Sequence, residues 1–164
     1  MKTEIRIAKI VTAILIAVTI FMVSRSNAGE IADLFKHYNK KLSKQQALSL
    51  EAIVNEAGGH FGVSPNLIAS IIVVESSARP NAISKGGDYG LMQVRYKVHK
   101  DKVKNAKDLL KPEINIKVGT RIYVQCYNKT KSVYGALVRY SGGNKTMARK
   151  VIKVMKGLNN GSTK

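Results

Sequence analysis

The chain is short of cysteine, of acid and of anything that would build a sheet. Its one cysteine, Cys126, excludes an intrachain disulfide. The apolar-periodic stretch around it predicts a buried, inert thiol. A chain without disulfides is compatible with export from a bacterium. His37, His60 and His99 share no metal-ligand spacing, so neither a metal site nor a cofactor is expected. There is no phosphate-binding glycine loop, no low-complexity tract and no internal repeat. No alternating segment is long enough for a sheet-based fold.

Scarce acid leaves a large excess of base. Against 10 Asp+Glu stand 28 Lys+Arg, a formal net charge of +18, with lysines spread along the chain. Such a balance keeps a protein soluble, and it suits an anionic partner: nucleic acid, lipid headgroups or a cell-wall polymer. Composition does not choose among these. With 164 residues, 45% of them hydrophobic, the chain can build one compact domain and is too short for two.

The first twenty-eight residues read as an address. Lys2, Arg6 and Lys9 give a positive start, Ile10 to Val23 is apolar, and Ser26 and Ala28 are small residues in the spacing that signal peptidase prefers. This predicts cleavage after Ala28. The 14-residue apolar stretch would reach about 21 Å as a helix, short of a ~30 Å hydrocarbon core. The rival reading is an uncleaved anchor, with Ile5 to Val23 spanning at a tilt and making membrane contact. Either way the domain, residues 29–164, works outside the cytoplasm, in the periplasm or cell envelope or tethered to the inner membrane. Cleavage would leave 24 bases against nine acids, +15, so the basic character belongs to the domain itself.

From Gly29 onward the chain reads as helices. Ile31, Leu34, Phe35, Tyr38 and Leu42 share a helical face. Ser43 with Gln46 forms a capping box that opens a second helix, expected to stop at Gly58-Gly59. Ser64-Pro65 opens a third, to about Ser77, apolar nearly all round and so a core helix. Pro80 blocks its extension. Residues 81–94 lack a helical period and predict an irregular segment with a small hairpin. Asp108 and Pro112 frame a further helix, Ser132 caps another through Tyr140, and Thr146 to Lys156 is the last, followed by a frayed tail.

Glu75 is the anomaly: a glutamate near the C-terminal end of the most apolar helix. Desolvation and the negative end of the helix dipole would both raise its pKa. A carboxylic acid kept neutral near pH 7 can protonate a glycosidic oxygen. The alternative is that Glu75 is only the exposed polar end of a buried helix. A series of short motifs bears on that choice: Glu75-Ser76, Ala82-Ile83-Ser84, Gly90-Leu91-Met92-Gln93, Asn115 with Gly119, then Arg139-Tyr140-Ser141-Gly142-Gly143.

In that order and spacing the chain resembles the soluble lytic transglycosylase (SLT) family of the lysozyme-like superfamily, over about residues 60–156. The resemblance implies a mainly α, lysozyme-like fold with a small irregular or β segment lining the groove. It implies peptidoglycan glycan strands as partner, no nucleic acid, no cofactor, and a monomer. It implies that Glu75 protonates the leaving oxygen and then takes a proton from the C6 hydroxyl of the same muramic acid, giving a 1,6-anhydro end. It implies that Ser84 and Gln93 line the groove, that the Tyr140 hydroxyl lies near the acid, and that Asn115 and Gly119 are structural.

Two departures stand out. Ser141 replaces the family's asparagine after Tyr140, and Arg95-Tyr96 follows Gln93 where a Met-Pro pair is common. Asp88 also matters, because Asp88-Tyr89-Gly90 before Leu91-Met92-Gln93 is similar to animal-type lysozymes and to some wall-opening enzymes of secretion systems. A second carboxylate would allow hydrolysis; otherwise Asp88 is a turn residue bonded to nearby amides. Tyr123, Tyr127 and Tyr134 read as core. Three functions remain in play: a lytic transglycosylase; a lysozyme-type hydrolase using Glu75 with Asp88, as in a phage endolysin; or a non-enzymatic wall-binding module.

Overall fold

The computed structural model describes residues 29–160. The signal and anchor readings of residues 1–28 lie outside the described residues, as does the end of the tail. The domain lies within the compact unit Ile31–Lys164. Among the described residues, no helix is long and apolar enough to cross a membrane.

The first helix, α1 (Glu30–Tyr38), buries Ile31, Ala32, Leu34 and Phe35. It ends earlier than its apolar spacing suggests, and Leu42 reaches the core from the following turn. Helix α2 (Lys44–Phe61) opens on the expected reciprocal box: Ser43 Oγ accepts from Gln46 N, and Gln46 Oε1 from Ser43 N. Its expected stop at Gly58-Gly59 is wrong. The helix continues to Phe61 and ends at Gly62, in the left-handed region at φ 65°. Gly58 instead serves a close approach, since a Cβ there would lie 2.8 Å from the Val63 carbonyl oxygen.

Helix α3 (Pro65–Ser76) is the core helix its composition requires. Ile68, Ala69, Ile71 and Ile72 are fully buried, each large aliphatic contributing roughly 1.5–3 kcal/mol of transfer free energy. It packs between α2 and the last helix. Its C-terminus is forced by two left-handed non-glycine residues, Ser77 and Ala78, both at φ 53°, a conformation costing about 1–2 kcal/mol per residue. Bonds around the turn offset that strain: Asn39 Nδ2 donates to the Ala78 carbonyl, and Arg79 Nε to that of Ser76.

The irregular segment contains the expected hairpin, β1 (Asp88–Tyr89) antiparallel to β2 (Val94–Arg95), with Asp88 opposite Arg95 and Tyr89 opposite Val94. Ile83 adds an isolated bridge to Tyr89. A one-turn helix α4 (Tyr96–His99) and two 3-10 turns, Lys100–Lys102 and Ala106–Leu110, come next, where no helical signal is visible in the sequence. They are too short to carry a period. Asp108 belongs to the second turn and, with Asn105, caps it.

Helix α5 (Pro112–Thr130), α6 (Val133–Tyr140) and α7 (Lys145–Asn159) complete the domain. Ser132 and Asn144 cap α6 and α7 through their side chains. The last helix runs three residues further than its periodicity suggests, and Leu158 is buried at its end. Helix α5 packs on α2 and α6, and α7 on α3 and α6.

Candidate active site

A buried side chain ties the hairpin to the helices. Asn115, fully buried on α5, donates from Nδ2 to the carbonyls of Tyr89 and Leu109 and accepts from Met92 N at Oδ1, all at 2.7 Å. Three directional bonds from one amide fix the loop in place. Gly119, one turn along α5, lets Met92 sit against the helix backbone: a Cβ there would lie 2.6 Å from Met92 Sδ. Gly90, at φ 75°, leaves no room for a side chain beside Asn115 and Leu109. Gln93 also takes a left-handed backbone, at φ 47°. Its amide donates to the Gly90 and Ala82 carbonyls, at 2.9 and 3.2 Å.

This loop forms one wall of a groove of about 960 Å³; α5, α6 and the start of α7 form the others. Glu75, Asp88, Gln93 and Tyr140 all line it. Ser84 does not; its hydroxyl donates to Asp88 Oδ2 at 2.7 Å. Four of the five site residues expected from the sequence therefore share the groove, and the fifth braces one of them.

The two carboxylates differ sharply. Glu75 makes no hydrogen bond or ion pair with any described residue. Burial at the end of the apolar α3, and secondarily the negative charge of Asp88, push it up from 4.5 to about 7. Asp88 is clamped. Arg95 grips it through Nε to Oδ1 at 2.7 Å and Nη2 to Oδ2 at 3.1 Å. The Arg95 bond, opposed by partial burial and helped by the Ser84 hydroxyl, holds Asp88 below the usual carboxylate range. The turn-residue reading of Asp88 thus needs correction: its partners are a guanidinium and a hydroxyl, not backbone amides.

Tyr140 OH donates to the Met92 carbonyl at 2.7 Å. Burial, and then the nearby charge of Glu75, raise its pKa well above the ordinary phenol value. It is a neutral donor spent on the loop, close to Glu75 but bonded elsewhere. Ser141 Oγ, at the position of the family's asparagine, caps backbone carbonyls of α6, those of Leu137 and Val138.

Several groove residues are not evident from the sequence. Arg95 stands out there only as a departure, and its partner is visible only once the hairpin register pairs it with Asp88. Helical spacing assigns Tyr134 to the core, yet it is 37% exposed and lines the groove, as does Val98, 63% exposed. Tyr127, also expected in the core, is 39% exposed. Arg139, Lys145 and His99 add basic side chains to the lining. Cys126 lies in the groove wall as a buried thiol, its pKa raised by desolvation.

Comparison with known proteins agrees with this architecture. Residues 52–160 match the family model described as the transglycosylase SLT domain. A protein of Escherichia coli O157:H7, described as a peptidoglycan-binding-like protein, is 32% identical over 62% of this chain and 70% of its own length. The chain belongs to the transglycosylase SLT family, and its mainly α fold with a two-stranded hairpin is that of a lysozyme-like domain.

Proposed function

We propose that the protein is a peptidoglycan lytic transglycosylase that cleaves the MurNAc–GlcNAc β-1,4 bond, with Glu75 as its single acid–base group. The observation that carries this reading is the state of Glu75: lining the groove, desolvated, without a protein partner among the described residues, and titrating near pH 7. A carboxyl with no internal bond keeps its proton for a substrate oxygen.

The step balances without water. Glu75 gives its proton to the glycosidic oxygen as the C1–O bond of the muramic acid breaks. The Glu75 carboxylate then takes the proton of the C6 hydroxyl of that sugar, and O6 bonds to C1. The products are a free 4-hydroxyl and a 1,6-anhydro ring, and Glu75 is protonated again. An internal nucleophile gains by proximity and needs no positioned water. Both carboxylate oxygens of Asp88 are engaged by Arg95 or Ser84, which makes it a poor nucleophile and suits it to an electrostatic role. The peptidoglycan-binding description of the Escherichia coli relative supports the same substrate class.

One observation favours a second reading: Asp88 remains ionised in the same groove as Glu75, the pairing a lysozyme-type hydrolase uses. Digesting purified peptidoglycan and weighing the soluble muropeptides separates the two. The transglycosylase releases anhydro-ended products, one water lighter than the reducing-ended products of hydrolysis. No soluble product would leave a wall-binding module.

Export belongs to the same proposal, with residues 1–28 as a cleaved signal or a membrane anchor. Sequencing the N-terminus of the exported protein distinguishes them: a start at Gly29 means cleavage, a start at Met1 the anchor.

A further inference from the structure

The sequence of α7, Lys145–Asn159, contains five basic residues and no acidic one. Lys145, Arg149, Lys150, Lys153 and Lys156 are all exposed. At ~100° per residue they fall within an arc of about 140°. The opposite side of the helix carries Met147, Ala148, Val151 and Leu158 into the core. None of the five basic side chains makes an ion pair among the described residues. The pairs described there are Arg95–Asp88, Lys102–Asp101 and Lys111–Asp108, all elsewhere. An ordinary solvated face mixes charges of both signs; this one carries a single sign along about 17 Å of helix. It is also continuous with the groove, since Lys145 and its capping neighbour Asn144 line the groove wall.

We propose that the outward face of α7 is a docking track for the carboxylate-bearing peptide stems of a glycan strand lying in the groove. The inference rests on the functional reading above and extends it to a surface outside the groove. Continuity selects the partner: a polymer held beside Glu75 and leaving past Lys145 runs onto α7, where its own anionic substituents meet the lysines. Four of the five basic residues are lysines, point charges on flexible stems that need no fixed partner geometry. That suits stems recurring along a strand at varying orientation. The track would hold the enzyme on an insoluble wall between cuts without contributing to bond cleavage.

The test measures retention and turnover separately. In a Glu75→Gln background, the variant Arg149→Gln, Lys150→Gln, Lys153→Gln, Lys156→Gln is compared with a control that removes equal charge elsewhere: Lys40→Gln, Lys41→Gln, Lys44→Gln, Lys117→Gln. Lys145 is left intact because it lines the groove. Cosedimentation with purified walls, freed beforehand of phosphodiester polymers, should weaken roughly tenfold for the α7 variant near physiological salt, with a flatter salt dependence. The control should change little. Walls stripped of peptide stems by an amidase should hold the α7-intact protein no better than the α7 variant. With Glu75 restored, the α7 variant should cut short soluble glycans as fast as the parent. Equal loss in both variants would mean net charge alone acts, and undiminished binding to stem-free walls would remove the stems as partner; either overturns the proposal. Failure of the parent to cut any glycan would instead sink the functional reading, while cosedimentation still reports on the track.

Discussion

Two carboxylates face one groove, and their surroundings send them in opposite directions. Glu75 stands at the end of a buried helix, with no cation bonded to it among the described residues, and titrates near 7. Asp88 stands on a hairpin, beside Arg95 and Ser84, and stays ionised below the usual range. One segment withholds solvent from an acid; the other supplies a base with partners. The pair shows that burial and partnership, not residue type, decide which carboxyl can give a proton near neutral pH.

The sharpest way to break this contrast is to remove the titration of Glu75. Glu75→Gln keeps the shape and abolishes proton transfer. Glycan cleavage should fall by about two to four orders of magnitude, the range general acid–base groups contribute. Assays of dye release from labelled walls would show it. Substantial residual activity would mean that another group is the acid.

The hairpin side can be broken from beneath. Asn115→Ala removes the side-chain bonds to the Met92 amide and to the carbonyls of Tyr89 and Leu109. At ~1–3 kcal/mol per buried unpaired group, partly relieved by water, a loss of about 3 kcal/mol is expected. Chemical denaturation gives the stability. Activity measured well below the melting temperature should also drop, because the same bonds place Asp88 and Gln93.

How far the sequence revealed this contrast depends on the range of the forces involved. The Glu75 side was legible, because a glutamate among Leu67, Ile68, Ile71, Ile72 and Val73 is an oddity within a single helix. The capping box at Ser43 and the Pro65 start were legible for the same local reason. The Asp88 side was legible only in part. Its clamp depends on register, which pairs residues seven apart across a turn, and a two-residue strand carries no period from which to read register. Gly58 misled because a stop signal and a close-packing site look alike until the neighbouring chain is placed. Tyr134 misled because helical spacing gives a face, not what that face meets. The α7 charge was visible as composition, but its single face and its continuity with the groove needed the structure.

A stability measurement sharpens the Glu75 side. Its folded pKa, about 7, lies above the ordinary value of 4.5. Between these values the folded state binds more protons than the unfolded one, so this group's contribution is full below about pH 4.5 and is lost as pH rises through about 7. Glu75→Gln, which never ionises, should therefore be more stable than the parent at pH 8 by roughly 2–3 kcal/mol, with the difference shrinking toward about pH 4. Thermal melts of both proteins across that range would test it. A difference independent of pH would mean that Glu75 is not desolvated in the native state.

The smallest expected effect bears most directly on the link between the two groups. Asp88 is the lesser of the two causes that raise Glu75, so Asp88→Asn should move the alkaline limb of the pH–rate profile to lower pH, by less than the loss of burial would. The sign is set because losing a nearby negative charge makes Glu75 easier to ionise, and the acid is needed protonated. Arg95→Gln should move the limb the other way, since it strips the positive partner and leaves the Asp88 charge less compensated. Both variants should keep most of their activity at the optimum if Asp88 acts only by its charge. A shift of the same sign in both would show that the hairpin reaches Glu75 through shape instead of electrostatics. Collapse of Asp88→Asn at every pH, with reducing-ended products from the parent, would make Asp88 a reacting group and the enzyme a hydrolase.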